Sequence, residues 1–186
     1  MRTPKFAYAF LAIAFLISCA DENDEGFYFD EKKFMSEWNI WKNQNIKNYS
    51  FTLKGKLPYW YYTKAILMYD YEVNVAVKNG IMNSFEYIGK IPYQEGNGES
   101  VLEPEYVSIS DMYQKIYESI KSCERYWKET SDKGCFVSQR YEIRYDQKYH
   151  YITYFEPITK VKSGCILDTT EHEVTVSAFS ITQSSE

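Results

Sequence analysis

The chain has 186 residues, is 45% hydrophobic and 25% charged, and carries a formal charge of −5 with a mean hydropathy of −0.50. That is one domain's worth of chain, long enough to bury a real core. Its acidic balance excludes the basic face that nucleic acid or an anionic membrane surface would require.

Arg2 and Lys5 precede an uninterrupted apolar run from Phe6 to Ile17. Such a run is shorter than the ~20 residues of a bilayer-spanning helix and suits the apolar region of a secretory signal. The string Leu16-Ile17-Ser18-Cys19 that closes it resembles the lipobox of bacterial lipoproteins. The resemblance implies a signal peptide over residues 1–18 and a diacylglycerol on Cys19. More than one acyl chain there, palmitate among them, would anchor the protein stably. It also implies an address, the bacterial cell envelope, with the lipid in the outer membrane and the domain periplasmic or surface-exposed. Loss of Arg2 and Lys5 with the signal would take the formal charge from −5 to −7. Residues 19–26 are then the lipidated cysteine and an acidic tether that repels itself and has no core to join. Its acidic residues also resemble surface-export signals, although a solvated tether would look the same. One α+β domain over residues 27–186 follows.

Phe27 to Gln44 reads as a helix, with Phe34, Trp38 and Trp41 on one face and Asp30 at its start. Tyr49 to Leu53 reads as a strand, and the aromatic-rich stretch from Leu57 to Tyr69 as an extended hairpin arm. Tyr71, Val73, Val75 and Val77 alternate with polar or small residues, the mark of a half-buried strand. Asn79-Gly80 then supplies a tight hairpin turn. Ile81 to Ile88 returns, with Ile81, Phe85 and Tyr87 on one side. Pro92 to Pro104 reads as a loop. A second helix begins near Ser108 or Ser110, buries Met112, Ile116, Ile120 and Cys123, and has Asp111 in its first turn. Phe136 to Tyr145, Tyr149 to Phe155 and Glu173 to Ile181 read as three more strands. The order α-β-β(-β)-α-β-β-β, joined by hairpins, predicts an antiparallel sheet of five to six strands with both helices on one face. The two halves read as a weak repeat of helix plus meander.

Trp41, the run Asn45 to Leu53 (N-I-K-N-Y-S-F-T-L) and V-x-V-K-N-G at Val75 to Gly80 together resemble an uncharacterised family of bacterial lipoproteins, a domain of unknown function. That family shows a tryptophan, N-Y-x-F-T, V-x-V-x-N-G, a helix, and a strand ending Y-D before a G-Y-P turn. Arg144-Tyr145-Asp146 matches the strand end, while Lys148 to Ile152 stands at the turn without its glycine or proline. Leu57 to Asp70 and Cys123 to Cys135 look like insertions. The resemblance covers roughly Trp38 to Phe155 and implies a fold and an address, and no activity.

An exported chain permits disulfides, and Cys123, Cys135 and Cys165 allow one bridge with one cysteine left over. The expected pair is Cys123 with Cys135, across the polar stretch Glu124 to Gly134. Cys165, after the turn residues Ser163-Gly164, is the alternative partner for either.

Chemistry is sparse. No H-E-x-x-H, G-x-S-x-G, phosphate loop or paired C-x-x-C occurs. Asp168 with Glu171-His172-Glu173 is the nearest approach to a metal cluster, but strand alternation sends neighbours to opposite faces, so no metal and no cofactor is expected. Nineteen tyrosines suit either β-propensity or a binding surface. The expected binding face is the uncovered side of the sheet, with Glu72, Asn74 and Lys78 joined by outward tyrosines from Tyr141 to Tyr154. The reading is a lipid-anchored, non-catalytic binding module whose partner is an envelope protein or a glycan. The alternative is an envelope hydrolase using dispersed carboxylates or the unpaired cysteine, and a third possibility is a structural envelope component.

Overall fold

The computed structural model describes residues 25–60, 66–89, 93–94, 100–101, 104–130, 135–165 and 173–182. The signal sequence, Cys19 and most of the acidic tether lie outside them. In chain order the elements are β1 (Gly26–Tyr28), α1 (Glu31–Asn43), β2 (Tyr49–Trp60), β3 (Ile66–Lys78) and β4 (Ile81–Tyr87). There follow β5 (Tyr93–Gln94), β6 (Ser100–Val101), α2 (Ile109–Thr130), β7 (Phe136–Tyr145), β8 (Ile152–Val161) and β9 (Val174–Ile181). Seven strands form one sheet in the order β1-β7-β8-β9-β2-β3-β4, and β5 pairs with β6 apart from it.

The architecture is α+β, with a larger and more mixed sheet than the sequence suggested. The difference is β1: Phe27, expected to open the first helix, lies in a short strand parallel to β7, with Gly26 opposite Ser138. The helix starts later because Asp30 is its cap. The Asp30 carboxylate accepts from the Lys33 amide at 2.9 Å, which satisfies one of the orphan N–H groups of the first turn. Glu31 near its start and Lys42 near its end complement the helix dipole.

Each helix is followed by a three-stranded meander, α1 by β2-β3-β4 and α2 by β7-β8-β9. The two meanders lie side by side where β9 pairs with β2. At the start of α2 the Ser108 hydroxyl accepts from the Asp111 amide at 3.0 Å while the Asp111 carboxylate accepts from the Val107 amide at 3.1 Å. This reciprocal cap selects Ser108 over Ser110 as the start of the helix. Asn79 and Gly80 both take positive φ, 54° and 80°, the backbone that a tight hairpin needs.

The core lies between the helices and one face of the sheet. Phe34 and Trp41 from α1, and Met112, Ile116 and Ile120 from α2, are buried with Phe51, Leu53, Val73 and Val75. Aromatic rings fill much of it. Trp38 stacks on Tyr113 with 2° between their planes, and Tyr113 on Tyr145. One expectation for β4 fails. Phe85 and Tyr87 pack on the core, but a register shift between Ala76 and Val77 sets Met82 opposite Val77, and Met82 packs inward while Ile81 stays 73% exposed.

The disulfide joins Cys135 to Cys165, with Cα atoms 5.7 Å apart, and not Cys123 to Cys135. The polar stretch after Cys123 is helical. α2 runs on to Thr130, because Tyr126 and Trp127 pack against Phe136 and Trp127 also meets Phe27. The seven further residues of helix after Cys123 occupy about 10 Å. Cys135 and Cys165 instead flank the open end of the β7–β8 hairpin. Phe136 there faces Val161, and the Lys162 amide donates to the Cys135 carbonyl at 2.7 Å.

Candidate functional site

Strand alternation decides what each face of the sheet carries. Tyr49, Phe51 and Leu53 of β2 are buried under the helices, which puts Ser50, Thr52, Lys54 and Lys56 on the other side. On β3 the buried Tyr71, Val73, Val75 and Val77 leave Asp70, Glu72 and Asn74 there. Glu72 and Asn74 therefore stand where the sequence placed them.

The groups on this uncovered face are engaged with one another, both across and along the strands. The Thr52 hydroxyl donates to Asn74 Oδ1 at 2.7 Å, and the Ser50 and Ser180 hydroxyls lie 2.8 Å apart. Lys54 pairs with Glu72 at 3.1 Å. Both are substantially exposed, so the pair adds less than about 1 kcal/mol of stability. On the far strands Arg144 Nε donates to Glu142 at 2.7 Å, the Arg144 guanidinium sits 4.5 Å over the Tyr154 ring, and Tyr154 donates to Glu156 at 2.6 Å. That last bond, to a carboxylate that gains nothing from an ionised phenol, pushes the Tyr154 hydroxyl up to about 12.

Two depressions lie on this face. One, of about 430 Å³, is lined by Lys54, Lys56, Asp70, Glu72, Glu173 and Thr175. The other, of about 480 Å³, is lined by Ser50, Asn74, Ala76, Ser84, Phe85 and Glu86. Hydroxyls, one amide and charges of both signs line them beside apolar wall from Tyr71 and Ile88 in the first and Val75 and Phe85 in the second.

Tyr154 belongs to the uncovered face, and Tyr141 does not. The Tyr141 ring meets Phe27 and Phe29 edge-on and stacks on Phe155, on the helix side of β7. The expected band of outward tyrosines from Tyr141 to Tyr154 is thus reduced, among the described residues, to Tyr154. Tyr49, Tyr71, Tyr106, Tyr113 and Tyr151 are all buried as well. Core filling absorbs most of the described tyrosine, because the ring is large and a hydroxyl can reach a backbone partner. Tyr49 thus accepts from the Ile109 amide at 3.1 Å, and Tyr113 donates to the His150 carbonyl at 2.5 Å. Sequence reasoning missed Ser50, Thr52, Lys54 and Arg144 as members of the face. The signal was present for the first three, in the period-two polar spacing that runs from Ser50 to Lys56.

A titratable cluster on the helix side involves His150, the one histidine among the described residues. Its Nδ1 lies 2.6 Å from Glu37 Oε2, and its amide donates to the Asp146 carbonyl at 3.0 Å. Asp146 also accepts from the Lys148 and Tyr149 amides, at 2.9 and 2.6 Å. The arrangement closes the β7–β8 turn, which holds His150 at positive φ, 57°, and ties it to α1. No hydroxyl or thiol of a described residue is hydrogen-bonded to the imidazole. Burial raises the Tyr113 and Tyr145 hydroxyls, and the Glu37 charge adds to the effect, so both stay protonated over the whole range in which proteins work.

Among the described residues no group of three His, Cys, Asp or Glu is placed to hold a metal ion. Asp168, Glu171 and His172 lie outside them, and Glu173 is exposed just before β9. Among the described residues, too, no helix is long and apolar enough to cross a membrane. No family model, curated protein or solved structure matches the chain.

Proposed function

We propose that the protein is a lipid-anchored, non-catalytic binding module of the bacterial cell envelope, held by acyl chains on Cys19, that takes its partner on the uncovered face of the seven-stranded sheet. The observation that carries the reading is the division of labour between the faces. One is packed under two helices, and the other presents Ser50, Asn74, Lys54, Glu72, Arg144 and Tyr154 with no helix over it among the described residues. Hydroxyls, amides and paired charges supply directional hydrogen bonds and electrostatic register, the properties that set specificity in polar interfaces. The partner class is an envelope protein or a glycan. The resemblance to uncharacterised lipoproteins agrees on the address and adds no activity. A hydrolase would need a nucleophile beside the Glu37–His150 pair, and that pair is spent on holding a turn to a helix.

Two measurements test the two halves of the proposal. Cys19→Ser should leave a precursor with its signal intact and without fatty acid, and unchanged palmitate incorporation would remove the anchor. A photo-crosslinking residue at Asn74 or Tyr154 of the mature protein in intact cells should yield a discrete crosslinked species. The same residue at Glu118 on the outer side of α2 should not. Equal yields from the two faces, or none from the sheet, would refute the binding face.

A further inference from the structure

The seven-stranded sheet has two edges, β1 with β7 at one and β4 at the other. β1 covers little of its neighbour. It pairs only with Ser138, Gln139 and Arg140, and the chain then leaves through Phe29 for α1. Among the described residues no strand lies against the rest of that edge, from Tyr141 to the end of β7 at Tyr145. α1 does not close this window either. A slot of about 180 Å³, walled by Phe29, Asp30, Lys33, Tyr141, Ile143 and Tyr145, lies between its first turn and the strand.

Native sheets guard an open edge with bulges or with charge. β4 has a bulge, at the register shift opposite Ala76 and Val77. β7 keeps a regular register from Ser138 to Arg144, and its charges alternate in sign. Tyr141, Ile143 and Tyr145 pack on the core, so Arg140, Glu142 and Arg144 stand together on the opposite face.

Such a row is complementary to itself when reversed. Set a second β7 antiparallel to the first about a two-fold axis at Ile143. Glu142 of each copy then faces Arg144 of the other, Tyr141 faces Tyr145, and Ile143 faces its own counterpart. Opposite charges across a ladder stabilise it. With the axis moved to Glu142, that carboxylate faces itself and Arg140 faces Arg144. With the axis at Arg144, the guanidinium faces itself and Glu142 faces Asp146. Like charges directly opposite destabilise, so the charges select the register centred on Ile143. That register also uses the whole window, which β1 bounds at one end and the β7–β8 turn at the other.

We infer that this window is the interface of a homodimer, in which a second copy of the chain adds its β7 antiparallel about Ile143. The relation is isologous, as a closed dimer requires. The Glu142 and Arg144 side chains are 40% and 64% exposed, so both are within reach of a partner. Arg144 Nε donates to Glu142 of its own strand at 2.7 Å, and the guanidinium has further N–H groups for the other copy's carboxylate. The axis stands perpendicular to the sheet, which puts the two uncovered faces on one side as a single surface. Neither the lipid on Cys19 nor a ligand on that surface is needed for the pairing.

The test is co-purification of two differently tagged copies of the full-length protein from the same cells, with the mass of the eluted species read by native mass spectrometry. Unsubstituted copies should co-purify at twice the monomer mass. Glu142→Arg in both copies should abolish this, and so should Arg144→Glu in both, since each sets like charges opposite one another. One copy with Glu142→Arg and one with Arg144→Glu should restore it, because every facing pair is again opposite in sign. Monomer mass for the unsubstituted protein overturns the inference, and does so without reference to any variant. Full co-purification of either variant with itself overturns it, as does a loss that mixing the two fails to restore. A different protein in place of the second copy also overturns it, since the edge would then take another chain's strand. Far-ultraviolet circular dichroism should be the same for all the variants, and one that unfolds leaves the decision to the unsubstituted mass.

Discussion

Trp41→Ala removes the side chain that ties α1 to both meanders. Trp41 is 3% exposed, its ring meets Tyr49 at 5.5 Å and Phe179 at 5.9 Å, and its indole N–H donates to Ser110 Oγ at 3.2 Å. A buried tryptophan removes roughly 200 Å² from water, about 5 kcal/mol at ~25 cal/mol per Å². The alanine methyl and partial collapse of the site return some of this, which leaves about 3–5 kcal/mol, the range for emptying a large aromatic site. The hydrogen bond adds little, because Ser110 is exposed and its hydroxyl can turn to water. Trp41→Phe should accordingly cost only about 1–2 kcal/mol. Urea unfolding of the lipid-free mature domain followed by far-ultraviolet circular dichroism, at constant m-value, reads both variants. Tyr154→Ala on the uncovered face should cost under about 1 kcal/mol in the same assay. If Tyr154→Ala unfolds the domain while Trp41→Ala is silent, the sheet has been read inside out.

Removing the Cys135–Cys165 bridge, whose ends are 30 residues apart, should cost about 3–4 kcal/mol by the chain-entropy estimate. Cys123→Ala should leave the disulfide intact in mass mapping of the non-reduced protein, and a crosslinked peptide containing Cys123 from the unsubstituted protein would refute the pairing. Gly55→Ala would set a Cβ 2.9 Å from the Tyr71 ring and should destabilise by about 1–3 kcal/mol, with the loss relieved in a Gly55→Ala, Tyr71→Leu double variant. Tyr154 ionises near 12 in the fold against 10 in the open chain. The stability it contributes is full below pH 10 and is lost as pH rises towards 12. Difference absorbance at 295 nm between the protein and Tyr154→Phe should show that step, and a step at 10 would remove the Glu156 bond.

The strongest local signals in the chain translated directly into structure. Val73, Val75 and Val77 alternate into the core because period two has no other stable reading beside Asn79-Gly80. Phe34, Trp38 and Trp41 line one helix face for the corresponding reason at period 3.6, and within the stretch expected as an extended arm β2 pairs with β3 from Leu57 and Tyr69 to Trp60 and Ile66, residues 61–65 lying outside the described residues. What failed depended on partners distant in sequence. Phe27 became a strand because β7, more than a hundred residues later, offered a free edge to Gly26–Tyr28. α2 continued through a polar stretch because Phe136 and Phe27 gave Tyr126 and Trp127 something to pack against. That extension also displaced the expected disulfide. Tyr141 turned inward because its strand's parity is set by Ile143 and Tyr145, which pack on the core. Of the face, Glu72, Asn74 and Tyr154 were legible. The cross-strand partners Thr52 and Ser180 were not, since register between strands is a tertiary property.

The pairing of β9 with β2 also fixes when the protein can be finished. Thr52 lies opposite Ser177, so an inner strand of the sheet, β2, keeps an open edge until β9, more than a hundred residues further along the chain, reaches it. Closing so long a chain segment is slow, and an unpaired edge is a template for a neighbouring chain's strand in the interval. A stop codon or a protease cut just before Val174 would therefore not release a smaller working module. It would release two half-sheets, each with its seam exposed, and their natural fate is to pair with other copies.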